Sequence, residues 1–196
     1  RFVKTTVIVN PCAGNGRTAK IWPNIESALK QSIGSFQTEE TSCQGDAILL
    51  TRRALDAGAT RIVAIGGDGH LNEVLNGFIE NDVQLNPQAS LSFVMSGTGC
   101  DFQRSLGMSG KWQAAVEKLK DAQIRQIDVG KVSYTAPDKT RKIRYFDNIA
   151  SFGLSGAVDH YIDNSKLGKY LGGTMLFLWA TIKTVFTHPN QTIRYS

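Results

Sequence analysis

Short runs rich in β-branched residues alternate along this chain with longer stretches whose apolar residues recur every three or four positions. Thr6–Asn10 (TVIVN) reads as a buried strand, and Ala19–Ser32 carries Ile21, Trp22, Ile25, Ala28 and Leu29 at helical spacing. Phe36–Thr41 follows as a second strand. Asp46–Ala57 reads as a helix that Gly58 stops, Arg61–Ile65 as a strand, Leu71–Ile79 as a helix and Leu91–Met95 as a strand. Lys111–Lys120 then has a helical pattern and Ile124–Val132 a strand pattern. Strands that alternate with helices form a parallel sheet covered on both faces, so the pattern predicts an α/β domain. Ligands of such sheets bind beyond the carboxyl ends of the strands.

The pattern changes near Asp128. "KVSYT", a polar turn "APDKTR" and "KIRYFDNIASFG" read as an antiparallel hairpin with Pro137 and Asp138 at its tip. A helix is predicted over Ser155–Ile162. Another, Tyr170–Phe186, puts Leu171, Met175, Leu178, Trp179, Ile182, Val185 and Phe186 on one face, the pattern of a core helix. The last strand-like residues, "QTIRYS", stop without closing a domain. The expected organisation is an α/β domain over 1–127 and the start of a β-rich second domain over 128–196 that looks truncated.

The 196 residues suffice for one full domain and part of another, and the 41% hydrophobic content suits a folded protein and argues against disorder. The net charge of +5 is a mild basic excess that suits polyanionic small molecules, nucleic acid or an anionic membrane surface equally. The three cysteines, Cys12, Cys43 and Cys100, have neither CxxC spacing nor an even count, which argues against a disulfide framework or zinc site and for a reducing compartment. No charged-then-apolar leader follows Arg1, so no signal peptide is expected, and without an initiator methionine the sequence is expected to be a fragment. Tyr170–Phe186 is too short and too polar to span a membrane.

Chemistry enters through three glycine-rich loops, each at the end of an apolar run: "VIVNPCAGNGRTA", "IVAIGGDGHLNEV" and "FVMSGTGCDFQRSLG". Glycine lets backbone come close to a partner, and at a strand end before a helix that partner is commonly a phosphate. "GNGRTA" matches the G-x-G-x-x-G/A dinucleotide fingerprint, with Glu39 and Glu40 about twenty residues further on, a weak signal when taken alone, and the Walker pattern is absent. Asp68 inside an anion cradle would repel phosphate unless a cation stands between, which a magnesium–nucleotide complex supplies. The alternative role for Asp68 is N-cap of the helix beginning at Leu71.

Taken together, "NPCAGNG", Thr41 four residues before "GDA", "GGDGHLNEV", "GTGCDFQRSLG", "IDVGKV" and "FDNIASFGLSG" resemble the catalytic domain of the diacylglycerol kinase family, most closely the bacterial soluble lipid kinases, with sphingosine and ceramide kinases more distant. The resemblance implies a Rossmann-like nucleotide domain of the kind shared with NAD kinases, and a lipid kinase that moves the γ-phosphoryl of Mg–ATP to a lipid hydroxyl such as that of diacylglycerol. It implies ATP and Mg²⁺ as cofactors. Asn10, Pro11 and Gly14 correspond to the first nucleotide loop and Thr41 to a further nucleotide contact. Gly66, Gly67, Asp68, Gly69, His70, Leu71 and Asn72 correspond to the main phosphate loop. Glu73 opens the helix behind it, and Thr98 corresponds to a phosphate-contacting hydroxyl. Asp68, Asp101 and Asp128 match acidic positions that organise magnesium and water, with Asp68 as the metal ligand. The implied setting is cytoplasmic or peripheral at a membrane surface that holds the lipid substrate. No nucleic acid partner and no transmembrane segment are expected, and a homodimer is compatible.

Two positions depart from the family pattern: His70 replaces a threonine and Cys100 an asparagine. His70 either donates a ring N–H to phosphate, more strongly once protonated, or crowds the nucleotide. Cys100 has only a weak S–H in place of an amide. The family's general base and a structural magnesium site are expected beyond Ser196, which makes this fragment a poor or inactive enzyme by itself. The Lys139, Arg141, Lys142 and Arg144 cluster is a solvated hairpin or a headgroup contact. Two alternatives to the lipid kinase are an NAD kinase-like enzyme and a nucleotide-binding regulatory module without catalysis.

Overall fold

A computed structural model describes residues 3–97, 99–108, 110–150, 154–164 and 173–187. Strands β1 (Thr5–Val9), β2 (Gln37–Glu40), β3 (Arg61–Gly66) and β6 (Ser90–Met95) form one parallel sheet in the order β2-β1-β3-β6. Helix α1 spans Ala13–Ile33, α2 Asp46–Asp56, α3 Asp68–Phe78, α4 Asp101–Ser105 and α5 Trp112–Lys118. The α/β reading and the strand–helix alternation therefore hold.

Because side chains alternate across a strand, each buried strand feeds two cores. Ile8, Ile62 and Ala64 face α2 and α3, where they meet Leu50, Leu55, Leu71, Val74 and Phe78. Val7, Val9, Val63, Ile65 and Val94 face α1 and α5, where they meet Ile25, Leu29, Ala115 and Val116. The β2 edge (QTEE) is exposed throughout. Strand order reverses between β1 and β3, the switch point where the loops after the strands diverge and leave a crevice.

Regular structure in α1 is interrupted by left-handed residues at Gly14, Asn15 and Gly16. A short hairpin, β4 (Ile79–Glu80) with β5 (Val83–Gln84), was not expected. Strand Ile124–Val132 was expected, yet pairing begins only at Gly130, and the preceding residues Asp121–Asp128 are exposed and irregular. The hairpin itself is present as β7 (Gly130–Thr135) and β8 (Arg141–Phe146), with residues 137–139 turning.

By its contacts the chain divides into Arg1–Asn148 and Ile149–Ser196, a different partition from 1–127 and 128–196. The hairpin joins the first unit because β8 is bonded to α3. Asn76 Nδ2 donates to the Tyr145 carbonyl (2.9 Å), and the Tyr145 N–H donates to Asn76 Oδ1 (3.0 Å). Within the second unit, α6 (Leu154–Asn164) packs on α7 (Gly173–Thr187) through Tyr161 and Trp179. Leu176, Ala180 and Thr184 of α7 are buried, whereas Met175, Leu178, Trp179, Ile182, Val185 and Phe186 are exposed. The face expected in the core is thus the outer one here, and Leu171 lies outside the described residues.

Candidate functional site

Three strand ends come together at the switch point. The Asn10 N–H donates to Ile65 O (2.9 Å), the Thr41 N–H to Val9 O (2.9 Å) and the Ser96 N–H to Gly66 O (2.8 Å). A Cβ on Gly97 would lie 2.6 Å from Gly67 Cα, and one on Gly14 would lie 2.8 Å from Ser96 O. The hydroxyls of Thr18 and Ser96 are 2.6 Å apart, which ties the first loop to the third. Close backbone approach does explain the glycines, but at Gly14 and Gly97 what approaches is another loop of the same chain. Gly69 differs: a Cβ there would meet nothing within 4 Å, so its side of the helix start is open to a ligand.

Helix α3 starts at Asp68 and its N-cap, Gly67, supplies no side-chain acceptor. The N–H groups of its first turn therefore lack intrahelical partners and face the crevice with the positive end of the helix dipole. Asp68 does not cap its own helix. Its Oδ1 accepts the Phe102 N–H (3.2 Å) at the start of α4. Its Oδ2 and Asp101 Oδ2 flank Gly99, at 3.0 and 3.5 Å from the Cβ position of that residue. Asp101 also pairs with Arg104, which donates to Gly99 O (2.6 Å). Asp128 is exposed and bonds to none of these residues. Thr98 lies outside the described residues.

Mg²⁺ takes one or two carboxylates and completes its octahedron with phosphate oxygens and water. Asp68 and Asp101, each with an oxygen turned toward Gly99 beside an open helix N-terminus, fit that pattern. Among the described residues no cluster of three or more potential ligand side chains could hold a metal alone, so phosphate would have to share it.

Beside the glycine seam lies a cavity of about 390 Å³, lined among others by Asn10, Thr41, Ser42, Asn72, Glu73 and Arg144. That is within the range of small-molecule sites, roughly 300–1,000 Å³. Its rim is rigid. Asp46 accepts the Ser42 N–H (2.8 Å), the Ser42 hydroxyl (2.6 Å) and the Cys43 N–H (3.0 Å), bonds that hold its carboxyl well below the usual range. Glu73 Oε1 accepts the Gly45 N–H (2.9 Å) and so joins α3 to the β2–α2 loop.

Four loop residues are bonded within the chain itself. The His70 ring is buried, 5% exposed, with Nε2 2.9 Å from Ile8 O. A carbonyl can only accept, so Nε2 carries the hydrogen and Nδ1 is an acceptor, which would repel phosphate. Burial lowers the His70 pKa and keeps the ring neutral. The backbone N–H of His70 is one of the first-turn groups of α3. Leu71 is 1% exposed in the core and its N–H donates to Gly67 O. The Asn72 amide donates to Tyr145 O (2.9 Å) and accepts from Arg144 Nε (3.1 Å), fastening the hairpin. Cys100 has φ +56°, a left-handed conformation that asparagine tolerates better than cysteine, and its thiol, raised by burial, donates to Gly97 O (3.4 Å).

Sequence reasoning missed Arg144 and Asp147 as neighbours of this site. Asp147 is half-buried after β8, and burial, with the Asp68 charge adding, pushes its carboxyl pKa up. Nothing in the local pattern indicated that β8 lies along α3. The spacing of Asn72 and Asn76 by one turn was the available signal.

The chain has recognisable relatives among known proteins. The model of the diacylglycerol kinase catalytic domain matches residues 4–132. A diacylglycerol kinase from Staphylococcus haemolyticus is 33% identical over 166 residues, which cover 85% of this chain and 46% of that protein. One from Staphylococcus epidermidis is 30% identical over 169 residues, 86% of this chain and 49% of that protein. The chain thus spans about half the length of these relatives. The crystal structure of a diacylglycerol kinase from Bacillus anthracis superposes with a TM-score of 0.63 over 87% of this chain and 54% of the other, at 24% identity, a likeness of fold.

Proposed function

We propose that this chain, which belongs to the diacylglycerol kinase catalytic domain family, binds Mg–ATP at the β1/β3 switch point, and that the protein containing it phosphorylates a lipid hydroxyl such as that of diacylglycerol. The observation that carries the reading is the open start of α3. There the uncapped N–H groups of the first turn, the bare Gly69 and the Asp68 carboxylate meet beside a cavity large enough for a nucleoside. Nucleotide use follows from the family at a coarse level; ATP and Mg²⁺ are the specific proposal.

In this reading the first-turn N–H groups of α3 hold phosphate oxygens without a change in their own position, the kind of preorganised charge stabilisation on which phosphoryl transfer depends. Asp68 and Asp101 would hold Mg²⁺ through their Gly99-facing oxygens. Bound there, the metal would neutralise charge on the phosphates. Asn10, Thr41 and Glu73 line the nucleoside end. The roles of Asp128 and Thr98 rest on the family resemblance alone, as does a functional division after residue 127. No helix among the described residues is long and apolar enough to cross a membrane. Lipid is therefore proposed to reach the site from a membrane surface.

The test is radiolabel transfer from γ-labelled ATP by the full-length protein, with diacylglycerol in mixed micelles and NAD in parallel. Labelled phosphatidic acid that needs Mg²⁺ and is lost in Asp68→Asn supports the reading. Labelled NADP would replace it with the NAD kinase alternative, and binding without transfer would favour the regulatory module.

A further inference from the structure

The hairpin's basic residues read, from sequence, as a solvated surface or a contact for lipid headgroups. The structure separates one of them from the others. Arg141 donates to Ser133 Oγ, and Lys142 pairs with Asp138, both within the hairpin. Arg144 instead turns toward α3, where its Nε donates to Asn72 Oδ1 (3.1 Å) and its side chain lines the 390 Å³ cavity with Gly69 and Asn72. Its two terminal nitrogens have no carboxylate partner among the described residues. Asn72 is itself fixed by the Tyr145 carbonyl, so the guanidinium is held by its inner nitrogen, and its outer donors have no hydrogen-bond partner among the described residues.

We infer that Arg144 is a phosphate anchor of the nucleotide site, an arginine that Asn72 presents to the polyphosphate of the bound nucleotide. A half-buried guanidinium with such donors beside an anion-binding helix start has phosphate as its strongest partner, because charge-assisted and forked hydrogen bonds exceed neutral ones. Gly69, Asn72 and Arg144 line one cavity, so the phosphates of a nucleotide seated against the α3 start would come within reach of the guanidinium. The inference rests on the nucleotide reading above. It adds that the β7–β8 hairpin belongs to the nucleotide site, and that bound nucleotide fastens the hairpin to α3.

The experiment measures dissociation constants for ATP, ADP and adenosine with the wild-type chain, Arg144→Met, Arg144→Lys and Tyr145→Phe. Tyr145→Phe removes the hydroxyl bond to Asp82 (2.7 Å) and loosens the hairpin away from the cavity. The expected result is a loss of about 10- to 100-fold for ATP and ADP in Arg144→Met, at most twofold for adenosine, and partial recovery in the lysine variant. Equal losses for adenosine would overturn the inference in favour of a contact to base or ribose. Unchanged ADP affinity in Arg144→Met, or the same loss in Tyr145→Phe, would also overturn it. If wild type binds no nucleotide at all, the functional reading fails first, and the two failures are told apart.

Discussion

His70 gives the sharpest test of how this loop is built. An imidazole facing phosphates would gain from protonation, whereas a ring buried against Ile8 O loses by it. With its folded pKa below the unfolded value of 6.5, His70 binds fewer protons in the native state than in the unfolded one. Its contribution to stability is therefore fully present above pH 6.5 and is lost as pH falls through the window below it. For one such group, the loss between about pH 7.5 and 5.5 reaches about 1.3 kcal/mol when the folded pKa lies well below that window. His70→Gln keeps a donor for Ile8 O and removes the titration. Urea unfolding of both proteins across that range, read as the difference between them, cancels the carboxylates and the other histidines. The wild-type advantage should shrink on acidification by up to that amount. A constant difference, or a wild type that gains on acidification, would refute the buried, neutral ring.

Other outcomes follow from the same geometry. Gly97→Ala puts a methyl 2.6 Å from Gly67 Cα and should cost about 1–3 kcal/mol in unfolding experiments, whereas Gly69→Ala, with nothing within 4 Å, should change stability by less than about 0.5 kcal/mol yet weaken nucleotide binding. Cys100→Asn should raise the melting temperature, by about 0.5–1 kcal/mol in stability, because asparagine accepts the left-handed backbone at φ +56°. Cys12 and Cys43 are both exposed and both line the cavity, so saturating Mg–ADP should slow their alkylation while leaving a denatured control unaffected.

The fold was legible because its signal is local. Val7 and Val9 against Ile8, or Val63 and Ile65 against Ile62 and Ala64, encode a strand buried on two faces in a few consecutive residues. The convergence of the glycine loops was legible too, since parallel strands send all their C-terminal loops to one edge. What could not be read depends on long-range packing. Which way the His70 ring turns was decided by Ile8, 62 residues earlier, and by the bare Gly66, where a Cβ would meet that ring at 2.7 Å. The use of the Asn72 amide was decided by Tyr145, and that pairing spans 73 residues. Expecting strand from Ile124 misjudged a segment that has no strand partner among the described residues until Gly130 meets Phe146. The apolar stripe of α7 was read correctly as a stripe, but a period alone does not say which side is covered.

The central claim is that a nucleotide sits where α3 begins, and amide chemical shifts report that location directly. A ¹⁵N-resolved titration of the chain with ADP, with and without Mg²⁺, should move the resonances of Asn10, Thr41, Gly67, Gly69 and His70 together, with the Asp68 and Asp101 amides responding only when the metal is present. Shifts centred away from these loops, or none at millimolar ADP, would contradict the account.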